Sequence, residues 1–268
     1  MELKKREDFL KRGINKAGKP YGSWTKEGVR NWIAYVLHHP EVMEQVHLHL
    51  VDQNIKLDAL MFSTPAGPAT EDNCGFGTCD GLPCHDICYA IRAESFRPSA
   101  FLADMENALM LKFAWNRAVA EFRKRCDRYI KKCRAVGKKP IVRWHQAGEF
   151  TKEDSALLDR VKEIYREIIR VYGYTKREKY YCKYYNDPVV NILWSGWRGM
   201  PIPDAVLKCG PLKAFFVEFK DGNNEYMAEY IKDKKRVRRC PGLIKGEFAC
   251  NRCKFQCQNS VIVIAHEH

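Results

Sequence analysis

The chain has 268 residues, 46% of them hydrophobic, and its 46 lysines and arginines against 33 aspartates and glutamates give a formal net charge of +13 at pH 7. This composition predicts an ordinary globular chain with one sizeable core or two small domains. No apolar run approaches the roughly 18 to 20 residues that span a bilayer, which excludes a membrane-spanning class. The charged opening MELKKREDFLKRG lacks the apolar stretch of a secretory signal, so we expect a cytoplasmic protein with no membrane partner.

The first part of the chain, to about residue 56, has helical patterns. TKEGVRNWIAYVLHH predicts a helix that begins behind a cap at Thr25 and ends at Pro40, and EVMEQVHLHLVDQNI predicts a second helix. We therefore expect residues 1–56 to form an N-terminal helical extension.

From residue 57 the pattern changes to short apolar runs rich in β-branched and aromatic residues. Six of these runs predict strands: DALMFSTPAG, PIVRWHQAG, RVYGYT, VVNILWSG, KAFFVEFK and SVIVIAH. Helical patterns separate the first three runs. One extends from about Ser99 to a stop at Gly137, and the other begins behind a variant capping box of Thr151 and Asp154.

Strands that alternate with helices indicate a parallel sheet. We predict an α/β fold whose core, residues 57–239, is a partial (βα) barrel of about six mainly parallel strands, followed by a Cys-rich C-terminal segment, residues 240–268, with the final strand. A doubly wound sheet is the alternative. In both folds active sites form at the carboxyl ends of the strands. The residues that the sequence brings to that edge are Cys74, Cys79, Cys84, Cys88, His145, Glu149, Tyr174 and Ser195.

Four cysteines lie in the stretch NCGFGTCDGLPCHDICYA, directly after the first predicted strand. In a reducing cytosol, cysteines clustered at short spacings favour metal ligation over disulfides. Cys74, Cys79, Cys84 and Cys88 have the spacing C-x4-C-x4-C-x3-C, which is loose for zinc, where C-x2-C pairs are usual. His85 lies within this cluster and is interpreted as a polar loop residue.

A second cluster lies near the C-terminus, where Cys240, Cys250, Cys253 and Cys257 have the spacing C-x9-C-x2-C-x3-C. Four thiolates hold either a zinc ion or a [4Fe–4S] cluster, and the spacing favours iron–sulfur over zinc. The remaining cysteines lie apart in the sequence, and we expect them to be buried as small hydrophobic residues. They are Cys126, Cys133, Cys182 and Cys209.

The positive charge is concentrated in two segments. Residues 123–139 hold nine lysines and arginines, and KDKKRVRR at residues 232–239 holds six. Such clusters bind nucleic-acid phosphates because they release counterions, so DNA or RNA is a predicted partner. It is equally consistent with the sequence that these basic segments are solvated helix faces that keep the protein soluble.

Four motifs occur in order from about residue 57 to the C-terminus: FSTPAG with the cysteine stretch ending in CYA, then RWHQAGEF, YGYTK, and CPG with CNRCKFQC. This combination resembles the phage and mobile-element family of gene product eighty-eight-like proteins. The resemblance implies that Cys84 and Cys88 ligate together with an earlier cysteine, and this chain offers both Cys74 and Cys79 for that position.

The same pattern is similar in outline to the radical S-adenosylmethionine enzymes, whose partial barrel carries a three-cysteine loop after its first strand. That likeness implies S-adenosylmethionine as a further cofactor, although the spacing here is not their Cys-x3-Cys-x2-Cys. Three thiolates leave one iron of a cubane open for a substrate, whereas four close it.

The predicted function is therefore an iron–sulfur protein with one or two clusters, of redox or radical enzyme type, with His145 and Glu149 as acid–base groups or, equally, as structural supports of the loop. The predicted cofactor-binding residues are Tyr89, Arg143, Gly148, Tyr174 and Ser195. The alternative is a non-enzymatic nucleic-acid-binding protein stabilised by iron–sulfur or zinc. A zinc deaminase is disfavoured because the chain does not combine a His-x-Glu with a Pro-Cys-x-x-Cys.

Overall fold

The structure is a computed structural model, and it describes residues 3–10, 12–14, 20–52, 59–82, 89–196, 200–218, 237–239, 243–244, 247–248 and 262–266. The chain forms two compact units that interleave along the sequence. The first unit comprises Met1–Leu50, Phe62–Asp127 and Gln146–Leu157, and the second comprises Val51–Met61, Arg128–His145 and Leu158–His268. The predicted boundaries after residues 56 and 239 stay predictions.

Helices form most of the first unit. In chain order they are α1 (Arg6–Phe9), α2 (Lys26–His38), α3 (Tyr89–Phe96) and α4 (Pro98–Phe113), with 3₁₀ helices at Pro40–Gln45 and Glu71–Asn73. Two longer helices, α5 (Trp115–Ala135) and α6 (Lys152–Tyr165), begin in this unit and end in the second. An antiparallel hairpin, β1 (Arg12–Ile14) with β2 (Pro20–Trp24), precedes α2.

The predicted helix boundaries are confirmed where local capping determines them. The Thr25 hydroxyl accepts a hydrogen bond from the Gly28 N–H at 3.1 Å and begins α2. Thr151 and Asp154 cap α6 reciprocally. Gly137, at φ +66°, follows the end of α5. The helical stretch before Gly137 is two helices rather than one, because Ala114 leaves the helical region at φ −138°.

The predicted second helix of the N-terminal extension is wrong. After the 3₁₀ turn, Val46, Leu48 and Leu50 are buried while His47 is exposed, which is the two-residue period of an extended chain. The Glu121 carboxylate accepts the Leu48 N–H at 2.8 Å, and the Asn107 side chain accepts the next N–H at 2.6 Å. Side chains distant in sequence thus satisfy the backbone groups that a helix would have paired.

A buried carboxylate ties the elements of the first unit together. Glu106 on α4 accepts hydrogen bonds from Arg6 Nε at 2.7 Å, Trp32 Nε1 at 2.9 Å and His49 Nε2 at 2.5 Å. Burial alone would raise the pKa of Glu106, but the hydrogen bonds from His49 and Arg6 outweigh burial and hold that pKa below its ordinary value. The charge on Glu106 is therefore part of the folded state.

The second unit is built on a parallel sheet. Its strands are β3 (Leu60–Phe62), β4 (Ile141–Trp144), β5 (Arg170–Thr175), β6 (Val190–Gly196), β7 (Ala214–Glu218), β8 (Val237–Arg239) and, after the short hairpin of β9 (Leu243–Ile244) and β10 (Glu247–Phe248), β11 (Ile262–His266). The order across the sheet is β3-β4-β5-β6-β7-β11-β8, and every pairing from β4 to β8 is parallel. All six predicted strands are present, and the predicted α/β class with a parallel sheet is confirmed.

The two faces of this sheet differ. On one face, Trp194 and Phe216 pack against α7 (Glu178–Tyr184) and α8 (Asp204–Lys208) through Tyr181, Tyr185 and Val206. Strand register and side-chain alternation place a different set of residues on the other face, which we call the polar face. Its half-buried members are Arg143, Tyr174, Asn191, Ser195 and Phe215.

Candidate functional site

The loop that follows β3, residues 63–82, has a fixed backbone. The Asn73 side chain accepts the Thr70 N–H at 3.0 Å and donates to the Pro68 carbonyl at 2.8 Å. Asp80 accepts the Ala69 N–H at 2.7 Å. Side chains of the loop thus satisfy the backbone groups that no strand or helix pairs, so the positions of its residues are well defined.

Two of the predicted metal ligands lie in this loop. Cys74 is half-buried and has a left-handed backbone, at φ 50° and ψ 33°, where the Glu71–Asn73 turn ends. Burial raises the pKa of its thiol, and Arg30 offsets part of that shift. Cys79 is only 6% exposed, and its backbone N–H donates to the Gly67 carbonyl at 2.8 Å.

The structure brings this loop into contact with the RWHQAGEF motif within the first unit. The Glu149 N–H donates to the Thr78 hydroxyl at 2.7 Å, and that hydroxyl donates to the Pro65 carbonyl at 2.8 Å. The N–H groups of residues 146 and 147 donate to Ser63 Oγ at 3.1 and 3.3 Å. Two motifs that are about 70 residues apart in sequence therefore contact each other in the first unit. That Glu149 and the first cysteine cluster share one site stays a prediction.

Gly148 makes this approach geometrically feasible. Its backbone is at φ +79°, and a Cβ at this position would lie 2.4 Å from the Thr64 carbonyl oxygen. Only glycine adopts that conformation and leaves that space without displacing the neighbouring backbone. Gly148, one of the predicted cofactor-binding residues, thus has a structural task in joining the two motifs.

Two buried carboxylates behind the loop were not predicted from the sequence. Glu94 on α3 is 6% exposed and accepts the Ala66 N–H at 2.8 Å. Burial, and then the charge of Glu94, raise the pKa of Asp104 on α4 well above its ordinary value. The sequence could have indicated the burial of Asp104, because Asp104 follows Phe101 by three residues and so falls on the apolar stripe of its helix.

A pocket of about 470 Å³ lies between this loop and the helices of the first unit. The Lys26 ammonium, 5.6 Å from the centre of the Phe101 ring, and the Glu94 carboxylate are on its wall. Its other lining residues are Ala66, Gly67, Pro68, Thr70, Glu71, Asn73 and Ile91. The pocket therefore offers a cation, carboxylates and an aromatic surface beside the loop that carries Cys74.

Three of the predicted cofactor-binding residues share the polar face of the second unit. The Arg143 guanidinium lies 5.6 Å from the centre of the Tyr174 ring, and the Tyr174 ring lies 4.9 Å from that of Phe215. Ser195 is beside Phe215 in the strand register. The guanidinium is held over the Tyr174 ring by a cation–π attraction, on the same face as the Ser195 hydroxyl.

The predicted acid–base residues belong to different units. Glu149, 3% exposed, is in the first, whereas His145, 4% exposed, is in the second. His145 directly follows β4 and has φ +58°, an uncommon conformation for a residue other than glycine that is found at functional sites. The predicted acid–base roles stay predictions.

The remaining predicted ligands lie outside the described residues, namely Cys84, Cys88, Cys240, Cys250, Cys253 and Cys257, and so does His85. Tyr89 is the first residue of α3. Within the ranges that the structure describes, no group of three or more His, Cys, Asp or Glu side chains is placed to hold a metal ion. Cys74, half-buried, is the more accessible of the two thiols of this loop, and further donors to a metal would have to come from the rest of the cysteine stretch.

The isolated cysteines behave in two ways. Cys126 and Cys133 are buried in α5, as predicted for small hydrophobic residues. Cys182 and Cys209 are half-buried and their sulfur atoms lie 3.0 Å apart, so the prediction of isolated buried residues is wrong for this pair. The folding of α7 and α8 onto the same end of the sheet brings them together.

The first basic segment is largely exposed. In residues 123–139, lysines and arginines extend along α5 and beyond its end, and all are exposed except Arg125, which is half-buried. Arg123 is 3.9 Å from Asp127 and Lys132 is 2.6 Å from Asp52. Of the second basic segment the structure describes only Val237–Arg239. Among the described helices, none has the length and apolarity needed to cross a membrane.

Fold and loop together define an α/β protein with a parallel sheet, in which a fixed cysteine-bearing loop follows the first strand of the sheet. The family model Gene product 88 matches residues 44–260, and the chain belongs to this family. The predicted resemblance to this family is thereby confirmed. No curated protein and no solved structure matches the chain.

Proposed function

We propose that the protein is an iron–sulfur enzyme of redox or radical type, in which the loop after β3 holds the metal. The observation that carries this proposal is the contact between that loop and the Gly148–Glu149 segment after β4. Thiols of a fixed loop at the carboxyl end of a strand, next to buried carboxylates and a pocket, supply both ligands and a place for a substrate.

Strand order supports a partial barrel over a doubly wound sheet. Strands β3 to β7 follow each other across the sheet in chain order, whereas a doubly wound sheet reverses its order at a switch point. The described helices α7 and α8 pack on one face. The polar face, with Arg143, Tyr174 and Ser195, then corresponds to the inside of the barrel, and barrel enzymes bind their ligands at the carboxyl ends of such strands.

Within this proposal, Cys74 joins Cys84 and Cys88 as the third ligand, because Cys74 is half-buried and Cys79 is enclosed in the loop. A cluster held by three thiolates keeps one iron position for a substrate or for S-adenosylmethionine. Arg143, Tyr174 and Ser195, on the polar face of the second unit, would bind the cofactor or substrate. His145 in the second unit and Glu149 in the first would each hold or accept a proton. The four C-terminal cysteines would ligate a second, closed cluster.

The experiment is anaerobic purification of the full chain with measurement of iron, acid-labile sulfide and zinc. We expect a brown protein with iron and sulfide in stoichiometric amounts, and loss of one cluster's iron in Cys74→Ala and Cys84→Ala. Cys133→Ala is the matched control, because Cys133 is buried in α5 and is not one of the predicted ligands. A colourless protein that contains only zinc contradicts the proposal.

A second measurement tests the radical type. The reduced protein is incubated with S-adenosylmethionine, and release of 5′-deoxyadenosine is measured. Release that is lost in Cys74→Ala supports the radical reaction. If a protein with an intact cluster releases no 5′-deoxyadenosine, the radical reaction is excluded and the redox hypothesis remains.

The exposed charge of residues 123–139 favours a second candidate, a non-enzymatic nucleic-acid-binding protein that iron–sulfur or zinc stabilises. Phosphate-driven binding weakens steeply with salt, because each neutralised phosphate releases counterions. We expect the affinity for DNA or RNA to fall at least about tenfold between 50 and 200 mM salt. At a fixed salt concentration, the variant with Lys131→Gln and Arg134→Gln should bind more weakly than the unmodified protein. A flat salt response contradicts this candidate.

A further inference from the structure

A pair of thiols lies in the second unit, apart from the predicted metal clusters. Cys182 is on α7, and Cys209 directly follows α8. Their sulfur atoms are 3.0 Å apart, and both lie near the Ala205 carbonyl oxygen, at 3.6 and 3.2 Å. Two sulfur atoms at this separation are within about 1 Å of disulfide bonding distance.

The surroundings hold the pair in place. Both residues pack against a buried cluster in which the Tyr181 ring meets Trp194 edge to face at 6.1 Å. The Tyr181 hydroxyl accepts the Lys213 N–H at 3.1 Å, and the Tyr185 hydroxyl donates to the Pro211 carbonyl at 2.8 Å. The chain on both sides of the pair is thus fixed, while both cysteines remain only half-buried.

We propose that Cys182 and Cys209 are a modification site that forms a reversible disulfide by exchange with a low-molecular-weight disulfide. The Cys209 thiolate attacks one sulfur of the small disulfide, forms a mixed disulfide and releases one small thiol. The Cys182 thiolate then attacks the Cys209 sulfur, forms the protein disulfide and releases the second small thiol. The two protons lost by the cysteines end on the two small thiols, and the two electrons reduce the small disulfide.

The order of attack follows from the environment of Cys182. Burial, and then the hydrogen bond and charge of Cys209, raise the pKa of Cys182 to about 12, so Cys182 keeps its proton while both thiols are free. Once Cys209 is in the mixed disulfide, its charge no longer opposes ionisation of Cys182. The resolving step therefore becomes available only after the first step has occurred.

The test uses the full-length protein in glutathione buffers of increasing oxidised fraction. Free thiols are alkylated after quenching, and the digest is analysed by mass spectrometry without reduction. We expect a peptide pair joined through Cys182 and Cys209, two hydrogen atoms lighter than the reduced peptides, and its reversal by excess thiol. Cys126, buried in α5, should be at least about tenfold less modified and serves as the internal control.

Single variants separate this proposal from other fates of the pair. In Cys182→Ala, the reaction should stop at a mixed disulfide on Cys209, and Cys209→Ala should accumulate less adduct. If either variant does not fold, peptide mapping of the unmodified chain decides alone. A folded protein without the joined peptide overturns the proposal. The proposal is also overturned if both thiols resist alkylation until a chelator is added, because that result would assign the pair to a metal.

Discussion

At single positions, close backbone approaches decide which side chains the molecule tolerates. Gly148 has both a positive φ and a carbonyl oxygen in the space of its missing Cβ, whereas Gly137 has φ +66° with no neighbouring atom within 4 Å. The two glycines therefore separate the cost of the left-handed conformation from the cost of the contact with Thr64.

We expect Gly137→Ala to lower the free energy of unfolding by about 1 kcal/mol, the cost of the left-handed conformation for alanine. Gly148→Ala should lower it by at least about 2 kcal/mol more, because the loop after β3 must shift. Urea unfolding followed by circular dichroism measures both. Equal losses would show that the Thr64 contact does not restrain the loop.

The buried charge of Glu106 makes the stability of the protein depend on pH. The folded-state pKa of Glu106 is held below its ordinary value, so its contribution to stability is present above the unfolded pKa and is lost as the pH falls through the folded pKa. Glu106→Gln should lower the free energy of unfolding at pH 7 by about 3 kcal/mol, because Arg6 loses a buried charged partner. It should also flatten the loss of stability below about pH 4.5 that we expect for the unmodified protein. A variant with the same acid profile as the parent contradicts this role.

At the scale of elements, the sequence is informative wherever one local pattern determines the outcome. The six strands were predictable because each is a short apolar run that turn residues bound, and α2 and α6 because a hydroxyl caps each of them. The segment after Pro40 was not predictable, since side chains from α4 and α5 bond its backbone. Glu94 and Asp104 were missed for a similar reason, because their burial and the effect of the Glu94 charge on Asp104 depend on how α3 packs on α4.

The junction between the loop after β3 and the segment after β4 depends on the hydroxyl of Thr78. Thr78→Val removes that hydroxyl and leaves the buried Glu149 N–H without an acceptor, which should cost about 1 to 2 kcal/mol. Thr78→Ser retains the hydroxyl and is the matched control. If the loop holds the metal, iron content should fall in the valine variant and not in the serine variant. Iron loss in both would assign the effect to the methyl group.

At the scale of the whole molecule, the division between the two units does not follow the order of the chain. The backbone passes from one unit to the other five times, after residues 50, 61, 127, 145 and 157. A contiguous fragment that corresponds to the predicted core therefore lacks part of the first unit. The most consequential loss is Arg6, Trp32 and His49, the three donors to Glu106.

We expect a fragment of residues 57–268 to be insoluble or unfolded, because it keeps the buried Glu106 and removes its partners. Expression of the fragment with circular dichroism and thermal melting measures this. The same fragment with Glu106→Leu should recover part of the lost stability if the unpaired carboxylate is the cause. A cooperative melt of the unmodified fragment would show that residues 57–268 fold without the first 56.

The position of β11 in the sheet constrains the order of events during synthesis. Residues 262–266 pair with β7 on one side and β8 on the other, although both partners are translated earlier. Until the ribosome has released this stretch, β7 and β8 each present an unpaired row of backbone donors and acceptors. The pairing of β7, β11 and β8 is therefore complete only once residue 266 has emerged. A nascent chain that ends a few residues before that point carries two exposed strand edges, which can pair with other chains.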